Sequence, residues 1–185
     1  IRSGANLDEA GKERFRKISA EMSLLTLNFS QNNLKETNAY ELVLTPEDLD
    51  GLPESTREAY AQNATERGKE GQYVVTLHAP SFVPFMKYST RRDLRKQLYM
   101  AYNTQCTHDN EYNNVEIVKR LVNLRLERAQ LLGFSTAADF VLTRRMAENS
   151  ENVYNLLDQL LKAYSPTAER EVAEVKALAQ ELEGK

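Results

Sequence analysis

A mainly α protein, a multi-helix bundle carrying one small two-stranded β-ribbon, is what this sequence predicts, and three observations carry that expectation. Apolar residues recur at three- and four-residue spacing through most of the chain, which is the period of a helix with one buried face. The 185 residues contain only seven glycines and five prolines, with 41% hydrophobic and 28% charged residues. That composition excludes disordered, collagen-like and disulfide-stapled classes. Only two short runs have the β-branched character of strands. A chain of this length buries one continuous core, so residues 1–185 read as one helical domain, or a fragment of one, with no internal boundary.

Phe15, Ile18, Met22, Leu25 and Phe29 stack along one stripe and predict a long helix over 8–33. Tyr40 to Thr45 reads as a short strand, followed by Thr45-Pro46-Glu47-Asp48, which supplies an N-cap, a proline at the first helical position and an acid at N3. Residues 54–67 form a second predicted helix ended by Gly68, and Gln72 to Leu77 is the best strand, expected to pair with Tyr40 to Leu44. Pro80 and Pro84 predict a rigid extended connection from His78 to Tyr88. Thr90 and Asp93 then cap a helix to about residue 107, and Asp109 or Asn110 caps another ending at Gly133. In that second helix Glu116, Arg120, Asn123, Glu127 and Gln130 form a polar stripe opposite Val118, Leu121, Val122, Ala129 and Leu132. Thr136 and Asp139 cap a short helix, and 151–183 is helical, burying Val153, Leu157, Leu160, Tyr164, Val172, Val175 and Leu182, with Pro166 kinking or interrupting it.

The residues by themselves carry no catalytic constellation. Zinc needs three or four converging ligands, yet the chain has two histidines, His78 and His108, in different segments, and one cysteine, Cys106. Cys106 reads as a structural helix residue. The string Cys106-Thr107-His108-Asp109-Asn110-Glu111 reads as a capped helix junction rather than a ligand cluster. Paired carboxylates, Glu47 with Asp48 and Glu169 with Glu171, fall where first helical turns are expected and complement the macrodipole. There is no nucleophile elbow, phosphate loop or dinucleotide fingerprint. Catalytic, cofactor-binding and metal positions are therefore all assigned as none.

Net charge is −3, unevenly spread: residues 87–145 hold eleven Lys and Arg against six Asp and Glu, whereas 146–185 hold four against eight. Without interleaved exposed aromatics, the basic middle does not predict nucleic-acid binding. No apolar run approaches the length of a membrane span. Ile1-Arg2-Ser3-Gly4 lacks both a methionine and the plan of a signal peptide, so an internal start in a longer chain is expected. The cytoplasm is the expected compartment, with the periplasm open because a chain with one cysteine suits either.

Four strings in order carry a family resemblance. They are Arg2-Ser3-Gly4-Ala5-Asn6-Leu7; Gly51-Leu52-Pro53; the run from Thr76 to Tyr88; and Leu124 to Phe134 followed by Met146-Ala147-Glu148-Asn149. Together they resemble the thimet oligopeptidase and peptidyl-dipeptidase (Dcp) group of zinc metallopeptidases, in its upstream half. The resemblance implies a large, two-lobed, almost wholly helical hydrolase with a channel that admits short unstructured peptides and excludes folded proteins. It implies zinc held downstream by an H-E-x-x-H helix and a further glutamate, none of which is present here. This segment would then be an inactive channel wall supporting the C-terminal catalytic lobe, in an enzyme releasing C-terminal dipeptides from peptide substrates.

One expectation within that frame is a positive field from the stretch Lys87 to Arg145 that draws in peptide carboxylates, testable at Arg91, Arg92 and Arg95. The favoured competing reading pairs these arginines with surface acids. The alternative of another class is a stand-alone helical protein-interaction module. An excised piece should expose a large apolar patch, whereas an autonomous module should present a polar surface.

Overall fold

Asp8 opens the first helix by accepting the Gly11 backbone N–H at 2.7 Å on its carboxylate, and Glu9 follows in the first turn. This helix, α1, runs Glu9–Ala39 in the computed structural model, which describes residues 2–184; Ile1 and Lys185, the ends of the expected span, lie outside the described residues. α1 ends six residues beyond the span that the apolar stripe predicts, because Leu34 and the polar residues around it continue the turn pattern without a breaker before Tyr40. The fold is mainly α, with seven helices and a two-stranded antiparallel sheet among the described residues. Strand β1 (Leu42–Leu44) pairs with β2 (Tyr73–Val75), the pairing the sequence predicts, and the structure sets its register as Leu42↔Val75, Val43↔Val74 and Leu44↔Tyr73.

The chain forms two compact units, one of Ile1–Phe15 with Arg125–Lys185 and one of Arg16–Leu124. The second holds the principal core. There Leu42, Leu44, Leu49, Leu52, Tyr60, Val75, Leu77, Phe85 and Leu98 are buried together. Burial of these side chains, roughly 1.5–3 kcal/mol each, is what holds the short ribbon against its helices. After β1 a single 3-10 turn, Pro46–Leu49, is closed by Asp48 accepting from the Thr45 backbone N–H at 2.9 Å and hydroxyl at 3.0 Å. α2 (Glu54–Glu66) follows and buries Tyr60 and Ala64.

The expected extended connection is instead a helix, α3 (Ala79–Tyr88). Pro80 sits in its first turn, where a missing N–H forfeits no intrahelical bond. Pro84 does forfeit one, but Phe85 is fully buried and Phe82 and Met86 pack on the core, which offsets an interior-proline cost of about 3 kcal/mol. Ser81 locks the turn: its hydroxyl accepts the Thr76 N–H at 2.9 Å and its carbonyl accepts the Tyr60 hydroxyl at 2.7 Å.

α4 (Arg92–Asn103) is shorter than expected, and Thr90 does not cap it. The Thr90 hydroxyl donates to the Asp50 carboxylate at 2.7 Å, while Asp93 is occupied by the Arg91 guanidinium. α5 (Val115–Leu131) starts after a loop in which Asn113, not Asp109 or Asn110, accepts the first helical N–H, that of Val115, at 2.9 Å. Its stripes are rotated from the expected ones: Leu121, Leu124 and Ala129 are buried, Val118 and Val122 are exposed, and polar Arg120 and Glu127 bind α1. Long polar side chains reach partners across a helix pair, so polarity alone misassigns the wet face.

α6 (Ala137–Leu142) has the predicted capping box, with the Asp139 N–H donating to the Thr136 hydroxyl at 3.1 Å. α7 (Ser150–Glu183) runs 34 residues through Pro166 without a break. The carbonyl left without a donor, that of Lys162, is on an exposed helix where water can take the place of the missing N–H.

Candidate functional site

Glu36, near the end of α1, organises a partly buried polar cluster in the Arg16–Leu124 unit. Its side chain is 14% exposed; the carboxylate accepts the Cys106 backbone N–H and lies 3.8 Å from His108 Nε2. Cys106 is not helical as expected. It has φ +57°, a left-handed conformation that costs an L residue about 1–2 kcal/mol, and both its backbone groups are engaged: the N–H by Glu36, the carbonyl by the Asn114 N–H at 2.8 Å. Asn114, itself buried, donates its side-chain amide to the Phe29 carbonyl at 3.1 Å and accepts from Asn32 at 3.0 Å. Burial first, then the Glu36 carboxylate, push the Cys106 thiol up to about 11. A thiol so shifted is protonated at neutral pH and a poor nucleophile.

The two histidines do not converge. His78 Nε2 lies 3.0 Å from the Asn38 amide oxygen, and His108 Nε2 lies 3.2 Å from the Thr104 hydroxyl. Among the described residues no three His, Cys, Asp or Glu side chains are grouped closely enough to hold a metal ion. The donor set among the described residues therefore does not fit zinc. Glu36 and Asn114 had no sequence signal: Glu36 lies beyond the predicted end of α1, and a buried asparagine looks in sequence like any loop asparagine.

The arginines singled out for a steering field are engaged. Arg91 binds Asp48 and forks onto Asp93, at 3.0 and 2.8 Å for the latter. The Arg91 hydrogen bond holds the Asp93 carboxyl down to about 2, and Asp93 in turn raises the guanidinium. The Thr45 N–H, ahead of Arg91, lowers Asp48. Arg95 donates to the Ser89 carbonyl. Two carboxylates offset the charge of Arg91 at short range, which favours the pairing reading for that residue. Glu47 and Asp48 do lie in a first turn, but Glu169 and Glu171 fall in the middle of unbroken α7, away from any helix N-terminus.

The largest departure from the sequence reading is on α7. Leu157, Leu160, Tyr164, Val172, Val175 and Leu182, expected to be buried, are 41–74% exposed. The beginning of the helix is engaged within its unit, where Val153, Tyr154 and Leu157 share a groove of about 370 Å³ with Ala138, Val141 and Leu142 of α6. Among the described residues no helix is long and apolar enough to cross a membrane.

The profile of Peptidase family M3 matches residues 85–185. Oligopeptidase A of Haemophilus influenzae is 36% identical over 183 residues, covering 96% of this chain and 27% of that protein. Saccharolysin of Saccharomyces cerevisiae is 32% identical over 173 residues, covering 93% and 23%. Dipeptidyl carboxypeptidase of Escherichia coli is 26% identical over 185 residues, covering 100% and 27%. The chain thus spans about a quarter of the length of the relatives it matches. With the family profile covering more than half of its residues, the chain belongs to peptidase family M3.

Proposed function

We propose that this chain is a noncatalytic segment from the N-terminal half of a zinc-dependent oligopeptidase that hydrolyses short unstructured peptides, and that it forms part of a channel wall and supports the catalytic lobe. The observation that carries the reading is coverage: nearly all of the chain matches about a quarter of an oligopeptidase A. Zinc in such an enzyme would polarise the scissile carbonyl and activate water, held by residues outside this chain. The contribution of the residues present is scaffolding, with residues 1–185 acting as one piece, a cytoplasmic location and peptides as substrates.

Release of C-terminal dipeptides is the finer part of the proposal. What supports it is the likeness, 26% identical over the whole of this chain, to a protein named dipeptidyl carboxypeptidase. The interaction-module alternative expects a polar surface, and the apolar side chains exposed along α7 support the excised-piece reading instead.

The test uses the native polypeptide that carries this sequence, purified from its source. It should cleave short synthetic peptides, lose activity to a zinc chelator and regain it with zinc. Mass spectrometry of the products separates dipeptide release from internal cleavage. A native polypeptide that cleaves no peptide in any metal-replete condition would overturn the proposal.

A further inference from the structure

Phe140, on α6, has two guanidinium groups at its ring. The Arg2 guanidinium carbon lies 4.0 Å from the ring centre and that of Arg128, on α5, lies 5.6 Å from it, both within cation–π range. Arg2 also donates through Nη1 to the Phe140 carbonyl at 2.7 Å and to the Thr143 hydroxyl. Phe134 meets the same ring edge-on, with centroids 5.4 Å apart. All of these residues belong to the compact unit of Ile1–Phe15 with Arg125–Lys185.

Two like charges at one ring repel each other, and both side chains are only partly exposed. Among the described residues no carboxylate lies within ion-pair distance of either guanidinium. The acids nearest to them in sequence are committed elsewhere. Glu127 takes the Arg14 guanidinium at 2.5 and 2.6 Å, and Asp139 takes the Thr136 N–H at 3.1 Å and hydroxyl at 2.8 Å. Arg128 Nε is buried and has no hydrogen-bond partner among the described residues, a state that costs free energy until an acceptor meets it. Arg144 and Arg145 follow Thr143 directly and are exposed, so the turn after α6 adds two positive charges against the acid at Glu148.

We propose that Arg2 and Arg128 form a binding site for a tetrahedral oxyanion, inorganic phosphate in size and charge, beside Phe140. Guanidinium forks match the oxygens of phosphate two at a time, and one dianion answers both charges at once. A bound phosphate accepts from the Arg2 N–H groups that Phe140 and Thr143 do not use and from the Arg128 fork, and so joins the residue-2 end of the unit to α5. Peptide hydrolysis has no part in this site.

The experiment is phenylglyoxal modification of the native polypeptide that carries this sequence, with the modified arginines located by peptide mass spectrometry. Phosphate at about ten times its dissociation constant should slow modification of Arg2 and Arg128 by about tenfold, because only the empty site reacts. Arg91, held by Asp48 and Asp93, is the internal reference and should not respond. Sodium chloride at equal ionic strength should slow none of the three. The proposal is overturned by equal slowing in chloride, by slowing spread over all arginines, or by its absence at either Arg2 or Arg128. Equal protection by acetate overturns it too, since that marks a carboxylate site, as does a polypeptide in which both arginines are unreactive without phosphate. Arg128→Lys keeps a charge but loses the fork and should remove the protection of Arg2, whereas retained protection overturns the two-arginine site. The main readout is taken on the unsubstituted polypeptide, so a variant that fails to fold still leaves the question decided.

Discussion

Gly51 has φ +80°, and a Cβ there would lie 2.2 Å from the Tyr88 carbonyl oxygen and 3.0 Å from Thr90 Cγ2. Gly68 has φ +69° with nothing within 4 Å. Both are left-handed, but only one is also crowded by backbone. Gly68→Ala should cost about 1–2 kcal/mol from the left-handed conformation alone, and Gly51→Ala about 3 kcal/mol or more because the Tyr88 carbonyl must also move. Urea unfolding of the two variants should separate them by at least the cost of one such strain. Equal losses would show that the Gly51 turn yields freely. Cys106 gives a second test at this scale. Its thiol, raised to about 11 by burial and Glu36, should alkylate about 100-fold more slowly at pH 8 in the native than in the unfolded chain, since thiolate fraction falls tenfold per unit. The sign follows from the raised value: stability from the protonated thiol is complete below the unfolded value and declines as pH climbs toward 11, where reactivity rises. A native rate equal to the unfolded one would mean that the loop around Cys106 opens readily.

At the scale of elements, the ribbon and α7 behave oppositely although both are rich in aliphatic residues. Leu44 is 0% exposed and sits in the main core, so Leu44→Ala should cost about 2–5 kcal/mol by lost transfer energy and a residual cavity. Leu178 is 54% exposed, so Leu178→Ala should change the unfolding free energy of this 185-residue chain by less than about 0.5 kcal/mol. Thermal or urea melts read both. A large loss at Leu178 in the chain alone would mean that α7 folds back on its own unit. Prolines mark the other contrast. Pro84 is accommodated because its neighbours are packed, whereas Pro166 is accommodated because its surroundings are open to water.

At the scale of the whole molecule, electrostatic steering can be tested at Arg91. Asp48 and Asp93 already offset its charge, so Arg91→Gln in the native polypeptide should leave the ionic-strength dependence of kcat/KM unchanged while loosening the contact between the Asp48 turn and the start of α4. A flatter salt dependence in that variant would return Arg91 to the role of attracting peptide carboxylates. The proposal that the cleaving groups lie outside this chain makes a further expectation. Substitution of His78 or His108 by Ala should leave peptide hydrolysis and chelator sensitivity of the native polypeptide within a small factor of unmodified, and abolished activity in either would bring that imidazole into the mechanism.

Local features were legible in the sequence because they depend on neighbours a few residues away. The strand pair, the Asp48 and Asp139 boxes, and the helical periods of α1 and α7 each follow from spacing and hydrogen-bonding chemistry within one turn or one strand. The family was legible too, from four ordered strings. Long-range competition was not. Thr90 caps nothing because Asp50 takes its hydroxyl, Cys106 leaves the helical region because Glu36 and Asn114 hold its backbone, and α3 forms across two prolines because Phe85 is buried. Exposure of the α7 stripe was equally hidden, since periodicity identifies which residues share a face but not what covers it. Sequence by itself determined the period of most elements and the ends of α2, α7 and the two strands to within a few residues. Only the tertiary structure decided which donors met which acceptors and which apolar faces found a partner, because those outcomes depend on groups brought together from distant parts of the chain.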